Sequence, residues 1–341
     1  MKSFASDNYA GVLPEVMEAL QKANSGHARS YGADEVTKRV TDLFKAVFEA
    51  DVDVFFVFNG TGANVLSIST VTQSYNAVLC ADTSHIYNDE SSAPETFTGC
   101  RFFPLTANDK GKLDANIISE RLIRKGDVHY PQTAMVSITQ STEYGTVYKP
   151  EEIKEIAALT KENGLCLHMD GSRFFNAAAS LNCSLGDISG KAGVDLLSLG
   201  GTKAGMMFGE AVVVFNKDLA KHIAYKHKQS MQLASKTRFI AAQFEAMLQN
   251  ELWRKTAAHS NKMAELLCSH LTKNRNVKIT RSVQANAVFA EIPRHWYEPL
   301  QEHYPFYVWK DSTHEVRFMC AWDTKEEEIL SFVKAIDELS N

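Results

Sequence analysis

Between two apolar runs, this chain places a single lysine on a glycine turn. The stretch reads Asp195-Leu196-Leu197-Ser198-Leu199-Gly200-Gly201-Thr202-Lys203-Ala204-Gly205-Met206, and Ala211-Val212-Val213-Val214-Phe215 comes next. Short apolar runs bounded by glycine read as buried strands. A lysine ammonium is rarely buried without a partner, so Lys203 has two readings. It sits on a tight surface turn, or it does chemistry, because a desolvated lysine gives up its proton and forms a Schiff base with a carbonyl.

A second stretch bears on that choice. Leu165-Cys166-Leu167-His168-Met169-Asp170-Gly171-Ser172-Arg173 is an apolar strand ending in an acid, a glycine and an arginine. In open α/β sheets, ligands gather beyond the carboxyl ends of strands. An aspartate there, followed by a lysine on a later turn, suits pyridoxal 5′-phosphate: the lysine holds the aldehyde carbon and the aspartate pairs with the protonated pyridine nitrogen.

The 341 residues allow one large domain and a smaller one, and 45 % apolar residues support a sizeable core. A net charge of −5 with scattered Lys and Arg argues against nucleic acid as the main partner. Cys80, Cys100, Cys166, Cys183, Cys268 and Cys320 form no Cys-x-x-Cys pair and read as thiols in a reducing compartment; no metal site is expected. The N-terminus has no apolar leader and no apolar stretch is long enough to span a bilayer, so the expected setting is the cytoplasm, away from membranes.

In order, the chain predicts a helix entered at Pro14 and a second helix over 34–50. The strand Val54-Phe55-Phe56-Val57-Phe58 then opens into Asn59-Gly60-Thr61-Gly62-Ala63-Asn64, with a helix starting near Ala63. Glycines and a threonine at a strand-to-helix turn make either an anion site suited to one phosphate or a simple tight turn. His85 and Tyr87 come after the strand Ala77-Val78-Leu79-Cys80, as groups that stack on an aromatic cofactor or as plain loop residues. A helix over 116–123, the strand Ala134-Met135-Val136-Ser137-Ile138 and a helix from Pro150 to a Gly164 cap continue an alternation that predicts a mostly parallel sheet with helices on both faces. Residues 219–251 read as helical and basic, either a solvated face or a segment reaching an anion across a subunit boundary. A long helix over 252–273 precedes a small α/β lobe. Within it Arg317 lies in an apolar strand and needs an acid, from a substrate or from the chain itself.

Taken together, these stretches resemble the threonine aldolases, β-eliminating lyases of the aspartate-aminotransferase-like fold (pyridoxal-phosphate fold type I), over nearly the whole chain from Ser6-Asp7 to Arg317. The resemblance implies a large domain over 1–245 with a mostly parallel seven-stranded sheet and a small C-terminal α/β domain over 246–341. It implies that Lys203 carries the cofactor, Asp170 holds its ring nitrogen, Gly60 and Thr61 bind its phosphate and His85 stacks on its ring. Arg173, which also borders the cofactor, would clamp the substrate carboxylate with Arg317 and Ser6. Tyr31 matches an active-site tyrosine, His129 a second histidine near the substrate hydroxyl, and Lys228 a basic residue reaching the phosphate from a neighbouring subunit. The chain departs from the common pattern at Gln140-Ser141-Thr142-Glu143, at Met231-Gln232-Leu233-Ala234-Ser235-Lys236 and at the Gly-Gly-Thr-Lys turn.

The activity so implied is that of a carbon–carbon lyase cleaving L-threonine, L-allo-threonine or related β-hydroxy-α-amino acids to glycine and an aldehyde, with His85 or His129 as base. The same cofactor would also serve β-elimination to pyruvate and ammonia. A homo-oligomer, a dimer or dimer of dimers, is implied because sites of this fold lie at subunit boundaries.

Overall fold

A computed structural model describes residues 2–340. Among the described residues, eleven strands fall into two sheets. They are β1 (Asp53–Val57), β2 (Asn76–Ala81), β3 (Arg101–Leu105), β4 (Gln132–Thr139), β5 (Cys166–Gly171), β6 (Leu196–Leu199), β7 (Glu210–Val214), β8 (Lys278–Ile279), β9 (Ala287–Glu291), β10 (Tyr307–Lys310) and β11 (Glu315–Met319). The larger sheet has seven strands in the order β1-β7-β6-β5-β4-β2-β3. Only β7 runs against its neighbours. The reason is local: the connection from β6 is a short turn, too short for the crossover that a parallel return needs. The carboxyl ends of the other six strands therefore share one edge.

Helices cover both faces, as the strand–helix alternation predicts. On one face, Val40, Phe44 and Phe48 recur at helical spacing along Glu35–Phe48 and are fully buried. Phe44 meets Phe56 of β1 at 5.9 Å and Phe244 of the helix Arg238–Leu248 at 5.4 Å, both edge-on. Asp34 caps this helix by accepting the Thr37 N–H at 2.8 Å. On the other face, the helix Gly60–Val71 is buried almost all round, so it begins three residues earlier than the sequence suggests and at the edge where the strands end.

The expected helix over 219–251 is interrupted. A short helix Ile223–Gln229 stops, and the next begins at Arg238. Met231 adopts a left-handed backbone, with φ 62°. Gln232 leaves the helical path to accept the Phe58 N–H at 3.0 Å, and Ser235 O accepts the Tyr31 N–H at 2.9 Å. The first bond ties the break to the start of the helix Gly60–Val71, and the second ties it to the loop before the helix Glu35–Phe48. A Cβ on Gly62 would meet the Gln232 carboxamide carbon at 2.4 Å, so the close approach requires glycine there.

The second sheet is antiparallel, in the order β10-β11-β9-β8, and is covered by the helices Leu252–Leu271 and Glu326–Ser340. The extreme N-terminus joins this lobe. Phe4 is 1 % exposed and packs on Phe332 with ring centroids 4.8 Å apart. Its backbone bridges Pro305 O and the Met319 N–H, at 2.8 Å each. That strap fixes where Ser6 and Asp7 sit. Replacing Phe4 with Ala should cost about 3–5 kcal/mol, measured by chemical denaturation; a loss under ~1 kcal/mol would show that the strap is not anchored by this ring.

Candidate active site

The shared carboxyl edge gathers residues from five strands. Gly60 and Thr61 follow β1, His85 follows β2, Glu143 follows β4, Asp170 and Arg173 end β5, and Lys203 lies on the turn after β6. Asn59 O accepts the Ala63 N–H and Asn59 Oδ1 the Gly62 N–H at 2.7 Å. The amides of Gly60 and Thr61 have no acceptor among the described residues, and a Cβ on Gly60 would meet nothing within 4 Å. This is an open cradle at the N-terminus of a twelve-residue helix.

Asp170 is buried and fully engaged. Its Oδ2 accepts from Asn64 Nδ2 at 3.0 Å and its Oδ1 from the Ser172 N–H at 3.0 Å. Behind it His168 bridges Ser137 Oγ (2.8 Å) and Ser198 Oγ (2.9 Å). Burial pushes that imidazole down to about 4, so it is neutral. Lys203 makes no hydrogen bond or ion pair with any described residue. Burial, and next the Arg173 charge, hold its ammonium below the usual lysine range. A Cβ on the neighbouring Gly200 would come within 2.4 Å of Ser172 O, so glycine lets the lysine turn lie against the end of β5. Lys203 is therefore not on a free surface turn.

His85 bonds Glu90 Oε1 through Nδ1 at 3.1 Å, and its backbone N–H reaches Glu143 Oε1 at 2.9 Å. Thr139 Oγ1 donates to the same Glu143 oxygen at 3.0 Å. Burial lifts the Glu143 carboxyl to about 7. Asn64 Oδ1, Ser84 Oγ, Glu90 Oε2, Ser141 Oγ and Glu143 Oε2 are buried without a partner. Such a concentration of unmet polar atoms marks a place where a further group belongs.

The two arginines differ. Arg173 grips Asp7 bidentately, at 2.7 and 2.9 Å, and Asn286 Nδ2 joins at 3.1 Å. Its charge is answered within the chain. Arg317 has no acid partner among the described residues, so the internal salt bridge left open by its sequence is absent. Its Nη2 donates to Ala5 O at 3.3 Å, Tyr307 and Trp309 flank it at 5.3 and 5.1 Å, and its Nε is buried and unpaired. Burial, with Arg173 next, brings it down to about 10. Ser6 lies on the same strap as Asp7 and caps the short turn Asp7–Tyr9.

The remaining expected residues lie apart. Tyr31 is exposed, with Lys228 Nζ 4.9 Å above its ring, beside the Gln232 break. His129 is exposed in the loop before β4, its N–H on Asp127 Oδ1 at 2.9 Å. That is the opposite end of the sheet from Asp170, about 25 Å away along the strand. This chain does not bring its own His129 to its own site. Sequence reasoning missed Asn64, Glu90 and Glu210. Glu210 opens β7, accepts the Gly201 N–H beneath the lysine turn, and is lifted by burial to about 7. An acid directly before an apolar strand was its visible signal.

Residues 3–294 match the family model described as beta-eliminating lyase. The chain belongs to the β-eliminating lyase family. It is 44 % identical to a low specificity L-threonine aldolase of Pseudomonas aeruginosa, over 98 % of this chain and 97 % of that one. It is 45 % identical to a low specificity L-threonine aldolase of a Pseudomonas species, over 96 % and 95 %. The structure of a Leishmania major threonine aldolase superimposes with a TM-score of 0.94 at 29 % identity, over the full length of both chains. The seven-stranded, mostly parallel sheet and the small C-terminal lobe are thus the fold of this family.

The Asp7–Arg173 pair generates a stability prediction. Burial resists ionisation of Asp7, but Arg173 outweighs it and the folded value is lowered. The pair's contribution is complete above the unfolded carboxylate value near ~4 and is lost as pH falls through the lower folded value. Asp7→Ala should cost about 3–5 kcal/mol at neutral pH by leaving Arg173 uncompensated, and the deficit should shrink below about pH 3. Denaturation at both pH values checks this; a deficit that does not change with pH would refute the pairing.

Proposed function

We propose that this chain uses pyridoxal phosphate to cleave L-threonine and related β-hydroxy-α-amino acids, by retro-aldol carbon–carbon cleavage, to glycine and an aldehyde. The observation that carries the reading is Lys203, an ammonium without an ion pair, set at the sheet edge where a buried aspartate ends the neighbouring strand. The two Pseudomonas relatives, both low specificity L-threonine aldolases, support the substrate class. The residues fit the cofactor: an amine held ready for an aldehyde, a carboxylate for a ring nitrogen, an open helix terminus for one phosphate, and unmet polar atoms between them.

When bound, pyridoxal phosphate supplies an aldehyde that condenses with an amino group and a ring that accepts the electron pair left at Cα. Lys203 Nζ is the amine that holds it between turnovers. Asp170 would hold a proton at the ring nitrogen, and Asn64 and Ser172 keep that carboxylate in place. Gly60 and Thr61 donate their amides to the phosphate. His85 would lie against the ring. Arg317, free of acids, takes the substrate carboxylate with Ser6, while Arg173 backs it from the Asp7 pair. Holding the carboxylate fixes which Cα bond lies along the ring's π system, a positioning effect. His85 is the base on this chain's own edge for the β-hydroxyl proton.

Our reading includes a homo-oligomer. Tyr31, Lys228 and the exposed apolar residues Met17, Phe58, Met207 and Met231 form surface that a second copy would cover, and any role of His129 requires one. All six cysteines are free, which fits the cytoplasmic setting.

Purified protein with pyridoxal phosphate and L-threonine should yield glycine and acetaldehyde; pyruvate and ammonia without glycine would overturn the retro-aldol reading. Lys203→Ala should abolish the visible absorbance of covalently held cofactor. Asp170→Ala should lower kcat/KM at least ~10²-fold with the fold intact by circular dichroism; near-normal turnover would remove Asp170 from the ring nitrogen.

A further inference from the structure

Glu90 is a buried acid beside the site, and no sequence pattern singles it out. Its side chain is 1 % exposed. One oxygen, Oε1, accepts from Asn64 Nδ2 (2.9 Å) and lies 3.1 Å from His85 Nδ1, and Oε2 is buried without a partner among the described residues. Asn64 Nδ2 also donates to Asp170 Oδ2 at 3.0 Å. One amide thus joins two carboxylates, and each of them meets a group assigned above to the reaction.

The carboxyl oxygen that accepts the Asn64 amide is the one that faces His85 Nδ1, so it has no hydrogen to give there and can only accept. The ring nitrogen facing Glu90 must therefore carry the hydrogen, which decides the state of the other nitrogen. We propose that Glu90 is a positioning residue that holds His85 as the Nδ1–H tautomer, leaving Nε2 as the lone pair that takes the substrate hydroxyl proton, with Asn64 clamping this dyad to Asp170. The proposal rests on the retro-aldol reading for the identity of that proton and on nothing else in it.

The groups around His85 act in both directions. The Glu90 hydrogen bond is the largest influence and raises its proton affinity; burial opposes it. Asp170 raises it through space and Lys203 lowers it. Glu143 holds the backbone N–H of His85 rather than its ring. The net direction is upward, towards a stronger base. A purely structural Glu90 would be served equally well by glutamine, which keeps the shape and an oxygen for Asn64. A glutamine cannot enforce the tautomer, because its amide can donate to His85 as readily as accept.

The test begins with the full-length protein, free of cofactor and labelled with 15N-histidine, titrated from about pH 5 to about pH 9. His85→Gln assigns the ring signals. Neutral His85 should show a protonated Nδ1 and a bare Nε2, with a midpoint above the ordinary histidine value. In Glu90→Gln the midpoint should fall by about one unit, tenfold in proton affinity, and the tautomer preference should be lost. A wild-type ring protonated at Nε2, or a variant with unchanged midpoint and tautomer, overturns the proposal whatever reaction the protein catalyses. The wild-type tautomer decides the matter even where Glu90→Gln does not fold. With pyridoxal phosphate and L-threonine, the acid limb of kcat/KM in Glu90→Gln should move down by the same unit, because the unprotonated ring is the active form. The plateau should fall about 10–100-fold. An unmoved limb beside a shifted His85 midpoint leaves the tautomer control standing and overturns His85 as the base.

Discussion

A carboxylate and an ammonium have to be held at one edge of the sheet without neutralising each other. Asp170 and Lys203 are near enough for their charges to interact, and in low dielectric a direct pair would be strongly favoured. The fold prevents it by supplying Asp170 with other donors, an amide from Asn64 and a backbone N–H from Ser172. Lys203 receives nothing comparable. The turn after β6 is packed to keep it so: Gly200 lies against Ser172, and Glu210 accepts the amide of Gly201 instead of the ammonium.

Leaving Lys203 unpaired has consequences for every other charge nearby. Arg173 lies close enough to oppose the protonation of both Lys203 and Arg317. Three cations in one recess would repel unless acids were built in. Asp7 is that acid, and it arrives from the other end of the chain. The strap that carries it is anchored by Phe4 in the C-terminal lobe, and Asn286 of that lobe also grips Asp7. The two lobes meet through this acid, so the site depends on the closure of the whole chain.

The separation in sequence explains which parts of the site are legible from the residues alone. Lys203 and Asp170 are legible because each shows a local conflict, a polar group where an apolar strand ends. The sheet is legible from its alternation, and β7 from the shortness of its turn. Arg173's partner is not, since Asp7 lies 166 residues away and nothing local pairs them. Asn64 and Glu90 look like ordinary helix and loop residues; only topology sets them against Asp170 and His85. The break at Met231 carries no glycine or proline, so no local signal announces it, and its cause is a tertiary bond from Gln232 to Phe58. His129 is legible only by resemblance, and the fold of one chain sends it to the far edge.

With Asp7 committed to Arg173, the recess retains one guanidinium with no ion pair among the described residues, and that asymmetry favours an anionic ligand group. In the proposed reaction an amino acid would bring a carboxylate for Arg317 and an amine for the aldehyde that Lys203 would otherwise hold. A simple amine lacks the first and a simple carboxylic acid lacks the second. Either would leave a buried cation unpaired or the aldehyde unengaged, a penalty larger than any contact its side chain could return. The same reasoning places discrimination at Cα and leaves the far end of the substrate weakly specified. Around Arg317 the walls are aromatic faces, Tyr307 and Trp309, which offer area but few fixed donors. An apolar wall distinguishes side chains by only about 1–3 kcal/mol per methylene. In the proposed reaction a side chain meeting such a wall would be sorted weakly beside the carboxylate and the amine.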